Sequence, residues 1–114
     1  MDLDKLRVYA KSQELLSEVL RLAASLPRGW GFLADQLRRA GASVPLNIAE
    51  GWGRPEPGDR RRSFDMALGS LHEVAAAVEI LRRAGYSTRE EFLALWDEID
   101  HISRMLGRLR ANAR

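Results

Sequence analysis

Two groups of arginine carry most of the chemistry this chain offers. Six lie between positions 38 and 62 (Arg38, Arg39, Arg54, Arg60, Arg61 and Arg62), against three acids, Glu50, Glu56 and Asp59. A second group, Arg104, Arg108, Arg110 and Arg114, follows the last acidic residue, Asp100. A guanidinium presents a rigid fork of N–H donors that matches phosphate oxygens. The first group is therefore a candidate contact for RNA or DNA, and the Arg60-Arg61-Arg62 run adjoins a proline- and glycine-rich linker that gives it reach. The bland alternatives are a solvated helix face for the first group and cations at a helix C-terminus for the second. Sixteen of the 18 basic residues are arginine, which also fits a GC-rich genome. Only Trp52 and Phe64 interleave with the arginines, so base stacking gains little support.

Other chemistries fare worse. Glu98-x-x-His101 supplies half of the carboxylate-bridged di-iron pattern of helical bundles, which needs a second Glu-x-x-His and two further core glutamates. His72 is preceded at that spacing by Gly69, so no metal site is expected, and His101 reads as a partly exposed residue paired with a carboxylate. The chain has no cysteine, which removes thiolate metal sites, disulfides and Cys nucleophiles. There is no Gly-x-Ser-x-Gly elbow and no phosphate-cradling glycine loop. No catalytic residue and no cofactor is expected, and the chain reads as a non-enzyme.

The elements that position these residues follow from apolar spacing. With 114 residues, 46% hydrophobic and 30% charged, the composition is that of one soluble globular domain spanning 1–114. A formal net charge of +2 is too small to argue for a nucleic-acid partner without local clustering. The amino terminus lacks a signal peptide and no apolar run is long enough for a bilayer, so no membrane is expected and the cytoplasm is the expected location. Leu15, Val19, Leu22 and Leu26 share one helix face, ended by Pro27-Arg28-Gly29. A second helix carries Leu33, Leu37, Ala40, Val44 and Ile48 and closes at Gly51-Trp52-Gly53. Arg54-Pro55-Glu56-Pro57-Gly58 reads as the linker. Helix three carries Phe64, Ala67, Leu71, Val74, Val78 and Leu81, with Gly85 as its C-cap. Helix four opens on a Thr88/Glu91 capping box and carries Phe92, Trp96, Ile99, Ile102, Leu106 and Leu109. The expected fold is all-α, an antiparallel up-down four-helix bundle. Pro45 falls inside the second run, so that helix is expected to kink there, two abutting helices being the alternative. Gly69-Ser70 is expected to let helix two approach at the kink.

On helix two, Gln36, Arg39, Ser43, Asn47, Glu50 and Arg54 occupy a stripe of roughly 80° beside the apolar face. It is either a solvated face or a polar seam against helix three or another subunit. In the second case its groups must be paired. Ser70 and Glu73, three apart on helix three, are the candidate partners, with Glu73–Arg39 the expected pair.

The stretches Gln36-Leu37-Arg38-Arg39-Ala40, Val44-Pro45-Leu46-Asn47-Ile48-Ala49-Glu50-Gly51-Trp52-Gly53-Arg54, Phe64 with Ala67-Leu68-Gly69-Ser70-Leu71-His72-Glu73, and Ala84-Gly85-Tyr86 resemble the signature of a bacterial family. Its members are four-helix-bundle proteins named for open reading frames in 23S ribosomal RNA intervening sequences. The resemblance covers nearly the whole chain and implies a bundle that assembles as a ring-shaped homopentamer. It also implies a fold-level relation to the accessory variability protein of diversity-generating retroelements, which binds nucleic acid and partners a reverse transcriptase. The chain departs from the family pattern at Val8-Tyr9, where a Trp is usual, and at Arg28-Gly29-Trp30-Gly31-Phe32, where an acid and a Tyr are usual. In a ring, five copies of a small basic patch form a belt whose charge sums over a Debye length of about 8 Å. Two functions remain open at this point. One is a homo-oligomeric nucleic-acid-binding bundle, an adaptor for a reverse transcriptase or other nucleic-acid enzyme. The other is a protein–protein scaffold whose arginines only solubilise it.

Overall fold

In the computed structural model, residues 6–113 are described, and among them all regular structure is helical. α1 spans Arg7–Ser25, α2 Gly31–Gly53, α3 Pro57–Arg83 and α4 Arg89–Ala111. Each boundary has a local cause. Leu26 turns extended ahead of Pro27, because a residue before proline is pushed out of the helical region. Gly29 then adopts φ +100°, a conformation cheap only for glycine. α3 stops where Gly85 takes φ +86°. Its N–H donates to Arg82 O at 3.0 Å and that of Tyr86 to Leu81 O at 2.9 Å, the paired bonds of a Schellman C-cap. At Thr88, Oγ1 accepts from Glu91 N at 3.1 Å while Glu91 Oε1 accepts from Thr88 N at 3.2 Å. That reciprocal pair satisfies two donors the helix cannot.

Two expectations about boundaries change. The linker is only 54–56, because Pro57 and Gly58 already belong to the first turn of α3. Proline is favoured there, since its fixed φ is helical and its missing N–H has no intrahelical acceptor to lose. Pro45 sits inside α2, which continues on both sides as one helix, excluding two abutting helices.

One apolar core draws on all four helices. Leu15 and Val19, Leu37, Val44 and Ile48, Leu71, Val74, Val78 and Leu81, and Ile102 and Leu106 are essentially inaccessible. Leu22, Leu26, Phe92 and Leu109 pack on the rim. Trp96, expected inside, is 38% exposed, and Leu95 takes its place in the core. The ring of Trp96 instead stacks on Phe92 at 5.1 Å. α2 packs most extensively on α3, then on α1; α3 packs on α4, and α1 packs more thinly on α4. Residues pair in opposite order along α2 and α3, Gln36 with Glu73 and Ser43 with Ser70, so these two run in opposite directions. The result is an elongated body, 44 × 23 × 21 Å.

Gly69 does not mediate the helix approach expected of it. A Cβ there would meet nothing within 4 Å. Gly51 and Gly41 do: a Cβ at 51 would lie 2.6 Å from Phe64 Cε1, and one at 41 would lie 3.1 Å from Val19 Cγ1.

Candidate functional site

Within the polar stripe of α2, Gln36 and Ser43 reach α3, whereas Arg39, Glu50 and Arg54 are exposed. Gln36 Nε2 donates to Glu73 Oε2 at 2.6 Å, and Ser70 Oγ donates to Ser43 Oγ at 2.8 Å. Asn47, buried, donates through Nδ2 to both Ser43 O and Ser43 Oγ at 2.9 Å. At the far end Arg54 Nη2 binds Glu50 Oε1 at 2.6 Å, and that bond, with the charge of Glu50, raises the Arg54 pKa above its ordinary value. The expected Glu73–Arg39 pair is absent, because Gln36 takes the Glu73 carboxylate. Arg39 is exposed and unpaired among the described residues. Gln36–Glu73 and Ser43–Ser70 join the two helices, while the Asn47 and Arg54 bonds stay within α2 and its cap.

The arginines separate into two places. Arg38 and Arg39 lie about 24 Å along α2 from Arg54, at 1.5 Å per residue. Arg38 is tied to Asp35 at 2.9 Å and lines the recess beneath the α1–α2 connection. The remaining four of the first group cluster where α2 ends and α3 begins. Here tertiary structure adds what spacing did not show: the end of α4 arrives at the same place. Arg110 of α4 pairs with Asp65 of α3, which raises the Arg110 pKa. Arg61 Nη1 donates to Ala113 O at 2.8 Å. Gly58, Arg61, Arg62, Asp65, Met66 and Arg110 line an open cleft of about 500 Å³. Arg62 and Arg108 are exposed and make no ion pair among the described residues. Arg104 is held by Asp100 at 2.8 Å, and Arg114 lies outside the described residues.

Phe64, read from sequence as an aromatic among the arginines, is fully buried. Trp52 is half-buried, with the Arg60 guanidinium 5.9 Å from its ring centre. Among the described residues no three His, Asp or Glu side chains gather as metal ligands. His101 is exposed, and among the described residues it lacks the carboxylate partner expected for it. No helix of the described residues is long and apolar enough to cross a membrane.

The family model of the 23S rRNA-intervening sequence proteins matches residues 4–108. The chain belongs to that family. The fold agrees with a crystal structure of a protein of unknown function from the S23 ribosomal protein family of Bacteroides thetaiotaomicron. That protein is 25% identical, with a TM-score of 0.84 over 90% of this chain and 97% of that one. No curated protein matches the chain. In this member of the 23S rRNA-intervening sequence family, the segment from Val44 to Arg54 thus has a structural use. It supplies the Asn47 seam, the Gly51 contact and the Glu50–Arg54 pair.

Proposed function

We propose that this family member is a non-enzymatic, homo-oligomeric bundle that binds RNA or DNA electrostatically and acts as an adaptor for a nucleic-acid enzyme such as a reverse transcriptase. The observation that carries this is the meeting of Arg61 and Arg62 of α3 with Arg110 of α4 at one end of the bundle, around an open cleft. The first turn of α3 adds backbone N–H groups without intrahelical acceptors, which favour anions. Arg54 extends the patch along the end of α2, whereas Arg38 and Arg39 stand apart from it. The ribosomal RNA context in the family's description supports an RNA partner. In a ring of five, each copy contributes the same patch, and low-affinity phosphate contacts sum.

The test is binding of a fluorescently labelled single-stranded RNA and a DNA duplex at about 50 and 200 mM salt, where phosphate contacts lose orders of magnitude in affinity. Combined Arg60→Ala, Arg61→Ala and Arg62→Ala substitution should remove most of the binding and flatten its salt slope. Light scattering should return a multiple of the chain mass; a monomer would sink the ring and its summed charge.

The scaffold reading keeps one specific observation in its favour. Phe32 and Leu46 are 67% and 68% exposed, large apolar side chains that a protein partner or a second copy would cover. Negligible nucleic-acid binding at low salt would select it.

A further inference from the structure

We propose that Trp52 and Arg60 form a base-stacking platform, so that the nucleic acid taken at this end of the bundle is a single strand with an unstacked base. The inference rests on the nucleic-acid function proposed above and narrows its ligand class. Trp52 lies on the last turn of α2 and Arg60 on the first turns of α3, so the short connection brings an indole and a guanidinium together. The guanidinium carbon lies over the ring, 5.9 Å from its centre, within reach of a cation–π contact. Both side chains are only partly buried, and indole rings and arginine planes are the surfaces on which bases stack in single-strand recognition.

A second observation points the same way. Arg60 Nε is buried and has no hydrogen-bond partner. A buried donor on a charged group is rarely left unpaired in a finished structure, and because Arg60 as a whole is only partly buried, a small turn of its side chain would bring Nε to a ligand oxygen beside the indole. Neither Asp59 nor Glu56, the nearest acids in sequence, pairs with it. Next along α3, Arg61 and Arg62 front the cleft shared with Arg110, and these are positioned for the phosphates flanking the stacked base. Phe64 cannot share the task, since it is sealed beneath Gly51. The other aromatic group, Trp30 with Phe32 and Tyr86, belongs to the opposite end of α2. A duplex keeps its bases stacked on each other and presents only their edges, so it can use the arginines but not the platform.

The test uses a variant in which Trp30→Phe and Trp96→Phe leave Trp52 as the only tryptophan. Titration with a single-stranded oligouridylate should quench its emission saturably, whereas a duplex of equal length and inorganic polyphosphate should not. Trp52→Ala should weaken single-strand binding about 5- to 150-fold, the range for loss of one stacked base. Trp52→Phe should retain most of the affinity. Arg60→Lys preserves charge but not the plane; it should weaken the single strand more than the duplex. Circular dichroism checks that each variant is folded. Single-strand binding without quenching, or equal affinity in Trp52→Ala, would overturn the platform while leaving electrostatic binding standing. Absence of binding to every nucleic acid at low salt would overturn both.

Discussion

Gly51 of α2 lies against the ring edge of Phe64 on α3. A Cβ at position 51 would stand 2.6 Å from Phe64 Cε1, 2.8 Å from Cδ1 and 3.0 Å from Ser63 Cβ, while Phe64 itself is fully buried. The missing side chain is what lets the end of α2 and the start of α3 close on each other, and so places Trp52 beside Arg60.

Gly51→Ala should therefore destabilise the chain by about 1–3 kcal/mol, the usual cost of overpacking a full core. Gly69→Ala, with nothing within 4 Å of its added methyl, should leave stability unchanged or raise it by up to about 1 kcal/mol through helix propensity. Urea denaturation of the two variants side by side checks the contrast. An indifferent Gly51→Ala would remove the packing argument.

The Ser43–Ser70 hydrogen bond joins the helices with the largest shared interface. Ser43→Ala takes an acceptor from both Ser70 and Asn47, although Asn47 keeps the Ser43 carbonyl. A loss of about 1–2 kcal/mol is expected for the orphaned groups. The double variant with Ser70→Ala should cost less than the sum of the single ones. Additive losses in a double-mutant cycle would show that the bond is not made.

Glu98 of α4 meets Glu18 and Glu14 of α1, with Lys11 as the opposing cation. Burial, the bond to Glu18 and the neighbouring carboxylates raise its pKa from an ordinary 4.5 to about 7. The folded chain then binds this proton more tightly than the unfolded chain. The stabilisation is complete below about pH 4.5 and is lost as pH rises through about 7. Melting temperature should fall between pH 5 and pH 8, and Glu98→Gln should flatten that fall. The change should be modest because Glu98 is partly exposed. A rising profile over that window would contradict the assignment.

Thr88→Ala deletes one half of the reciprocal cap on α4. A loss of about 1 kcal/mol is expected, read as a lower urea midpoint with unchanged slope. Thr88→Ser should restore nearly all of it. A Thr88→Ala midpoint equal to that of the parent would show that the cap contributes nothing.

Local sequence carried the helices and their caps. The three- and four-residue steps of Leu33, Leu37, Ala40, Val44 and Ile48 predict their burial, because helical periodicity is a property of neighbouring residues. The cap at Thr88 and the stop at Gly85 were legible for the same reason. Pro57 was misread as a helix breaker, since proline excludes a helix interior but suits a first turn, and position within the helix decides which applies.

What spacing alone could not decide was set by how the helices abut. Gln36 and Arg39 share one stripe a turn apart, and only the axial offset between α2 and α3 gives Glu73 to Gln36. Gly51 and Gly69 are alike in sequence, yet only Gly51 meets a ring. The arginines of α3 and the end of α4 are more than forty residues apart in the chain and adjacent in the bundle. Sequence thus determined which residues lie on which helix face, because that follows from 100° per residue. Tertiary structure alone determined which faces touch and which charges converge, because those depend on contacts between residues far apart along the chain.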